Sequence, residues 1–129
     1  MRAISCAAPG ELALVDIAAP ALKPGWVRVG IRHIGICGTD YHIFEGKHPF
    51  LQYPIIMGHE LSGVVLDANG AASLSDGDAV VINPYLPCYQ CPACAEGKTN
   101  CCESLTVIGV HGDGGMAEEI VIPEANLYP

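Results

Sequence analysis

Four of the seven cysteines in this sequence lie close together, at a spacing that is typical of a metal site. They are Cys88, Cys91, Cys94 and Cys102. Four thiolates on one short lobe can close a tetrahedral shell, which suits a structural Zn²⁺ ion that keeps no open coordination position. Pro87, Pro92 and Gly97 break regular structure here, so we expect the loop to fold around the ion instead of joining a sheet.

Other uses of the four-cysteine cluster fit its spacing less well. Cysteines separated by two residues also open the bacterial ferredoxin pattern, but its fourth cysteine follows after about three residues and precedes a proline. Cys102 comes too late for that pattern, and Cys101 is left as a spare thiol. A nucleic-acid-binding zinc ribbon is disfavoured by the formal net charge of −8. Buried cysteines that act only as small apolar residues rarely cluster between prolines. We therefore predict zinc and no iron.

A second candidate site combines Cys37 with the adjacent pair His59 and Glu60. Cysteine, histidine and a carboxylate are a catalytic type of ligand set, in which zinc keeps one position open for water or substrate. A zinc ion in such a set lowers the pKa of an alcohol, and hydride loss from the adjacent carbon requires that deprotonation. These three residues are therefore candidate ligands of a catalytic zinc ion.

Three further side chains near Cys37 are candidates for proton transfer and orientation. Thr39 offers a hydroxyl that can take the substrate proton, and His42 can pass this proton to solvent because its unperturbed pKa is close to neutral. Asp40 can accept a hydrogen bond from the second ring nitrogen of His59 and so fix its tautomer. The structural alternative for His42 is that it packs against or caps the turn after Asp40. The remaining histidines are interpreted as structural or solvated; they are His33, His48 and His111.

The elements that carry these residues are predicted to be mainly short β-strands. Apolar residues alternate with polar or small ones from Val27 to Arg32, which is typical of a half-buried strand. Besides a first strand at the N-terminus, the predicted strands are 11–17, 26–37, 61–68, 79–83, 106–110 and 117–123. Turn residues separate them at short intervals, so we expect a small barrel or sandwich. One helical turn is predicted over 39–44, with Thr39 or Asp40 as its cap.

Length and composition limit the class of protein. A chain of 129 residues suits one domain with a single core. No apolar run approaches the roughly 18 residues that cross a bilayer, and Pro9 and Gly10 interrupt the N-terminal apolar stretch before it could form a signal sequence. Fourteen acidic against six basic residues disfavour nucleic acid and anionic membranes as partners. We therefore expect a cytoplasmic protein. The glycine-rich segment 109–115 is interpreted as a turn and not as a phosphate-binding loop, because no G-x-G-x-x-G motif follows a strand.

Taken in order, the motifs resemble those of the zinc-containing medium-chain alcohol and polyol dehydrogenases. The resemblance extends from about Ala3 to Pro129. The motifs are Cys37-Gly38-Thr39-Asp40, then Gly58-His59-Glu60-x2-Gly63, then the four-cysteine cluster. Segments 91–103 and 107–111 are most similar to the sugar-acid and polyol branch, which includes the 5-dehydrogenases of L-galactonate, L-gulonate and L-idonate.

The resemblance implies that residues 1–129 form an N-terminal GroES-like catalytic domain. Its fold would be mainly β, a partly open barrel with a zinc-binding lobe and short helical turns. Cys37 and His59 would bind the catalytic zinc, with Glu60 as a nearby or alternate ligand, and the four clustered cysteines would bind the structural zinc. Thr39 and His42 match the proton-relay positions of the family.

Other features of the family would lie outside residues 1–129 or differ here. A further protein ligand of the catalytic zinc and a Rossmann domain that binds NAD(P) are expected outside this range. The family's zinc signature has glycine where Asn69 stands. Asparagine also tolerates a positive φ, so we expect the turn with Gly70 to be kept.

Two functions follow as hypotheses. The first is an oxidoreductase that oxidises a small-molecule alcohol, polyol or sugar acid, inactive as residues 1–129 alone and homo-oligomeric when complete. The second is a non-catalytic zinc-binding structural or interaction module built on the same barrel. A strand followed by G-x-G-x-x-G beyond Pro129 would favour the enzyme.

Overall fold

The structure, a computed structural model, describes residues 1–49 and 51–129, and most of its regular elements are short strands. The strands are β1 (Arg2–Ala8), β2 (Glu11–Asp16), β3 (Trp26–Gly35), β4 (Ile55–Ile56), β5 (Glu60–Asp67), β6 (Ala79–Ile82), β7 (Tyr85–Leu86), β8 (Thr106–Val107), β9 (Glu119–Pro123) and β10 (Leu127–Tyr128). The helices are α1 (Gly38–Phe44) and α2 (Pro92–Ala95), and 3₁₀ turns span Thr99–Cys101 and Glu124–Asn126. Within the described residues, none of these helices has the length and hydropathy to cross a bilayer.

The strands form three antiparallel sheets. The largest has five strands in the order β10-β6-β5-β3-β9, and a second has the order β2-β1-β4. The hairpin of β7 and β8 stands apart and closes the base of the cysteine-rich loop. This mainly β architecture, a curved and partly open barrel, confirms the predicted fold class.

Two groups of buried apolar side chains fill the space between these elements. In the first, Val27 and Val29 of β3 are fully buried on one face of the five-stranded sheet, as the alternation of side chains along a strand requires. In the second, Ile43 of α1 and Met57 pack together with residues of β1 and β4. Ile43 and Met57 therefore fix the two segments that carry Cys37 and His59.

Several element boundaries differ from the sequence prediction. Helix α1 begins one residue earlier than expected, and its N-cap is Cys37, not Thr39 or Asp40. The strand predicted over 106–110 covers only Thr106–Val107. The chain turns there because the N–H groups of Val110 and His111 both donate to the carbonyl of Val107. The strands β4, β7 and β10 and the helix α2 were not predicted, since two to four residues carry no periodic pattern.

The turn at Asn69 is kept without the glycine of the family signature. Asn69 has a φ of 50° and Gly70 a φ of 76°. The Asn69 amide donates hydrogen bonds to the carbonyls of Lys23 and Trp26, at 2.8 and 3.0 Å. The side chain therefore stabilises the left-handed conformation that its residue type tolerates.

Candidate metal centres

The four clustered cysteines converge on one point. Their Sγ atoms all lie within 4.8 Å of one another, and those of Cys88 and Cys102 are 3.4 Å apart. Zn–S bonds of about 2.3 Å in a tetrahedron place the sulfurs roughly 3.8 Å apart. Cys101 is exposed and lies outside this group. The arrangement therefore fits a single tetrahedral ion, with the four residues that the spacing indicated.

Local backbone geometry directs N–H groups at these sulfurs. The N–H groups of Gln90 and Cys91 donate to Cys88 Sγ at 3.5 and 3.4 Å, and these bonds lower the pKa of the Cys88 thiol. Backbone hydrogen bonds from Cys94 and Glu103 lower the pKa of Cys91 to about 6. Desolvation acts in the opposite sense on Cys94 and raises its pKa to about 12. A lobe that stabilises thiolates while crowding four sulfurs together fits a divalent cation, which would compensate their charge.

A second group of possible ligands consists of Cys37, Asp40 and His59, whose donor atoms also lie within 4.8 Å of one another. Cys37 is the N-cap of α1, and His59 immediately precedes β5. Cys37 Sγ and His59 Nε2 are 3.2 Å apart. In a tetrahedral zinc site, sulfur and nitrogen ligands lie roughly 3.5 Å apart, so both atoms can bind the same ion.

Asp40 lies behind His59 and is almost completely buried, at 2% exposure. Its Oδ2 accepts a hydrogen bond from the N–H of Cys37 at 2.9 Å, which holds the carboxylate at the start of α1. Its Oδ1 faces His59 Nδ1 at 3.7 Å, so the predicted hydrogen bond between them is not formed at this distance. Neither Asp40 Oδ1 nor His59 Nδ1 has a hydrogen-bond partner among the described residues. Two buried polar atoms that face each other in this way fit a histidine that binds a metal through Nε2 and turns Nδ1–H toward a carboxylate.

Glu60 does not join this group in the structure. It is exposed at the first position of β5, and its carboxylate lies against Gly35, where a Cβ would be 2.5 Å from Oε2. Thr39 and His42 lie three residues apart on α1 and hence on one side of the helix, Thr39 half-buried and His42 exposed. The metal role of Glu60 and the relay roles of Thr39 and His42 stay predictions.

An apolar cleft of about 400 Å³ opens beside the second group. Asp40 lines it together with Ile36, Tyr41 and Met57. The histidines interpreted as structural or solvated, His33, His48 and His111, are not among the residues that line this cleft. His33 contacts Ser62 Oγ through Nδ1 at 3.3 Å. The cleft was not predicted from the sequence because its lining comes from separate segments.

Sequence reasoning also missed Asp113, whose Oδ1 accepts a hydrogen bond from the N–H of Ile56 at 2.9 Å. Ile56 lies three residues before His59. The available signal was the run of glycines around Asp113, which indicated only a turn.

Comparison with known proteins places the chain in a family. The alcohol dehydrogenase GroES-like domain matches residues 23–129. L-galactonate-5-dehydrogenase of Escherichia coli strain K12 is 42% identical over 130 residues, which cover 100% of this chain and 38% of the relative. D-altritol 5-dehydrogenase of Agrobacterium fabrum strain C58 is 34% identical, over 99% of this chain and 38% of the relative. The crystal structure of galactitol-1-phosphate dehydrogenase from Escherichia coli superposes with a TM-score of 0.91 at 35% identity, over 99% of this chain and 37% of that one.

The chain spans about 38% of the length of the curated relatives that it matches. Both candidate metal centres fall inside the matched range, and the fold agrees with the solved relative along nearly all of this chain. These matches confirm the resemblance that the three motifs indicated. This chain belongs to the alcohol dehydrogenase GroES-like domain family, a family of oxidoreductases.

Proposed function

We propose that this chain is the metal-binding catalytic domain of a zinc-dependent dehydrogenase that oxidises a secondary alcohol of a polyol or sugar acid. Hydride would pass to NAD(P) bound by a Rossmann domain outside residues 1–129. The observation that carries this proposal is the convergence of Cys37 Sγ and His59 Nε2 at 3.2 Å, with the buried Asp40 carboxylate facing the other ring nitrogen of His59. A site built only for structure would be closed by four protein ligands, as the cysteine cluster is.

Each residue of the second group has a distinct part in this proposal. Cys37 and His59 would hold the catalytic zinc, and Asp40 would accept a hydrogen bond from His59 Nδ1–H to fix the tautomer. When bound, the zinc ion would act as a Lewis acid that favours loss of the alcohol proton. Thr39 would receive that proton at its hydroxyl oxygen and pass its own proton on to the His42 imidazole, which would release a proton to solvent.

The proposed substrate class is supported by what the relatives are named for. The three relatives reported above are dehydrogenases of L-galactonate, D-altritol and galactitol 1-phosphate, all polyhydroxylated molecules. A catalytic domain that is similar to them over nearly its whole length is expected to bind a related alcohol. Assembly into homo-oligomers and a cytoplasmic location stay predictions.

Cobalt(II) tests the proposal because its visible spectrum distinguishes a four-sulfur site from a site with mixed ligands. Protein that includes the expected further zinc ligand and Rossmann domain should show both kinds of site when it is loaded with excess cobalt, and adding L-galactonate or a polyol should change only the bands of the mixed-ligand site. Cys37→Ser should remove those bands and leave the four-sulfur bands. One ion per chain in that longer protein, with no response to any alcohol, would instead support the non-catalytic zinc-binding module.

A further inference from the structure

The glycine-rich segment 109–116, here named the glycine cradle, packs against the residues that precede His59. It was interpreted above only as a turn. Three backbone hydrogen bonds join the two segments: Gly114 N–H donates to Ile56 O, Met116 N–H to Met57 O, and Gly115 N–H to Gly58 O, at 2.7, 2.9 and 2.9 Å. The N–H of Ile56 donates in return to Asp113 Oδ1 at 2.9 Å.

The contact is too close for side chains at two of the cradle glycines. A Cβ on Gly114 would lie 2.2 Å from the carbonyl oxygen of Gly58, and a Cβ on Gly109 would lie 2.6 Å from the same atom. Because these are backbone contacts, no side-chain rotation can relieve them. The carbonyl of Gly58 is therefore held between two glycines, and the peptide plane that leads into His59 is fixed.

Gly112, in the same segment, has room for a side chain. No atom lies within 4 Å of the position that its Cβ would take, and its φ is outside the left-handed region. The cradle is anchored beyond this point, since Met116 O accepts a hydrogen bond from Ile4 N–H of β1 at 2.8 Å. The close backbone contacts thus belong to Gly109 and Gly114, which face Gly58, whereas a Cβ on Gly115 would meet the side chain of Leu61 at 2.3 Å.

We infer that the glycine cradle positions His59 so that its Nε2 lies close to Cys37 Sγ. Asp113 contributes by accepting the hydrogen bond from Ile56 N–H, and its negative charge is not needed for this role. This inference rests on the proposed function, because it concerns the metal affinity of the Cys37–His59 site. Cys37 is held by a different hydrogen bond, at the start of α1, where its N–H donates to Asp40 Oδ2. A shift of the segment 56–58 would therefore separate the two ligands.

Matched variants test the cradle, with cobalt(II) affinity at the Cys37–His59 site as the readout and the four-cysteine site as internal control. Gly114→Ala should weaken cobalt binding about 10–100-fold, the usual cost of losing outer-shell support of a ligand. Gly112→Ala should leave it unchanged. Equal affinities for these two variants would overturn the inference.

Asp113 gives a second test that introduces no steric crowding. Asp113→Ala should weaken cobalt binding about two- to tenfold, as expected for one lost hydrogen bond. Asp113→Asn should bind like the wild type, because the amide oxygen can still accept from Ile56 N–H. An Asn variant as weak as the Ala variant would show that the negative charge matters and would contradict the positioning role. This pair also decides the question if Gly114→Ala does not fold.

The wild-type chain separates this inference from the proposed function. Absence of cobalt bands from Cys37 and His59 in wild-type protein that includes the expected further zinc ligand would contradict the proposed function. The cradle would then still be tested by the NMR resonances of the His59 ring in metal-free protein. The chemical shifts of the His59 ring should change in Gly114→Ala and stay the same in Gly112→Ala. Unchanged chemical shifts in both variants would overturn the inference about the cradle.

Discussion

At the scale of single residues, Cys101 and Cys102 are neighbours in the chain with opposite surroundings. Cys102 is buried, lies 3.4 Å from Cys88 Sγ and accepts the N–H of Cys88 at 3.2 Å. Cys101 is exposed at the end of a 3₁₀ turn. The 3₁₀ turn after Lys98 therefore decides that Cys102, and not Cys101, is the fourth candidate ligand.

Serine substitution at each position tests that assignment. Cys102→Ser should lower zinc affinity by more than the roughly 10–100-fold that outer-shell changes cost, because it removes one of four ligands. Cys101→Ser should bind zinc like the wild type. The measurement is competition with a chromophoric chelator, together with elemental analysis for zinc and iron. A wild-type chain that contains iron, or equal losses in both variants, would contradict the four-cysteine assignment.

At the scale of elements, the pairing of β3 with β5 depends on Gly63. A Cβ on Gly63 would lie 2.3 Å from the carbonyl oxygen of Gly30 and 2.7 Å from Val29 Cγ1. Gly30 and Gly63 thus let two adjacent strands approach at the centre of the five-stranded sheet. Gly63 of the Gly58-His59-Glu60-x2-Gly63 motif therefore has a packing role close to His59, the proposed metal ligand.

We expect Gly63→Ala to lower the free energy of unfolding by about 1–3 kcal/mol, the usual cost of overpacking a core. Gly38→Ala is the matched control, since no atom lies within 4 Å of its Cβ position at the start of α1. It should change stability by no more than about 1 kcal/mol, in the stabilising direction. Urea denaturation followed by circular dichroism measures both, and a neutral Gly63→Ala would show that the strands can separate freely.

The sequence predicted the long strands and both cysteine-containing motifs because each has a local pattern. Alternation identified β3, and spacing identified the four clustered cysteines. The pairing of Asp40 with His59 was predicted as a hydrogen bond, but the 3.7 Å between Asp40 Oδ1 and His59 Nδ1 was not. The cleft and the glycine cradle were not predicted, since they depend on contacts between segments far apart in the chain. His59 shows the difference: its motif indicated a ligand, but its placement depends on residues about 55 positions later.

At the scale of the whole molecule, the cysteine-rich lobe and the barrel are held by different interactions. Within residues 87–105, only Cys102 is buried, and neither core cluster includes a residue of this range. The lobe has two short helical turns, α2 and Thr99–Cys101, which pack on each other. With so little apolar burial, we infer that its order depends on the metal.

Removal of zinc should therefore unfold the lobe and leave the barrel folded. After a strong chelator removes the metal, amide hydrogens in residues 88–105 should exchange with solvent nearly as fast as in an unfolded chain. Amides of β3 and β5 should keep their protection, because Val27, Val29 and Val65 remain buried in the sheet core. Hydrogen exchange followed by mass spectrometry measures both regions in one sample, and added zinc should restore the lobe. Simultaneous loss of protection in β3 and the lobe would show one cooperative unit, in which the metal stabilises the entire domain.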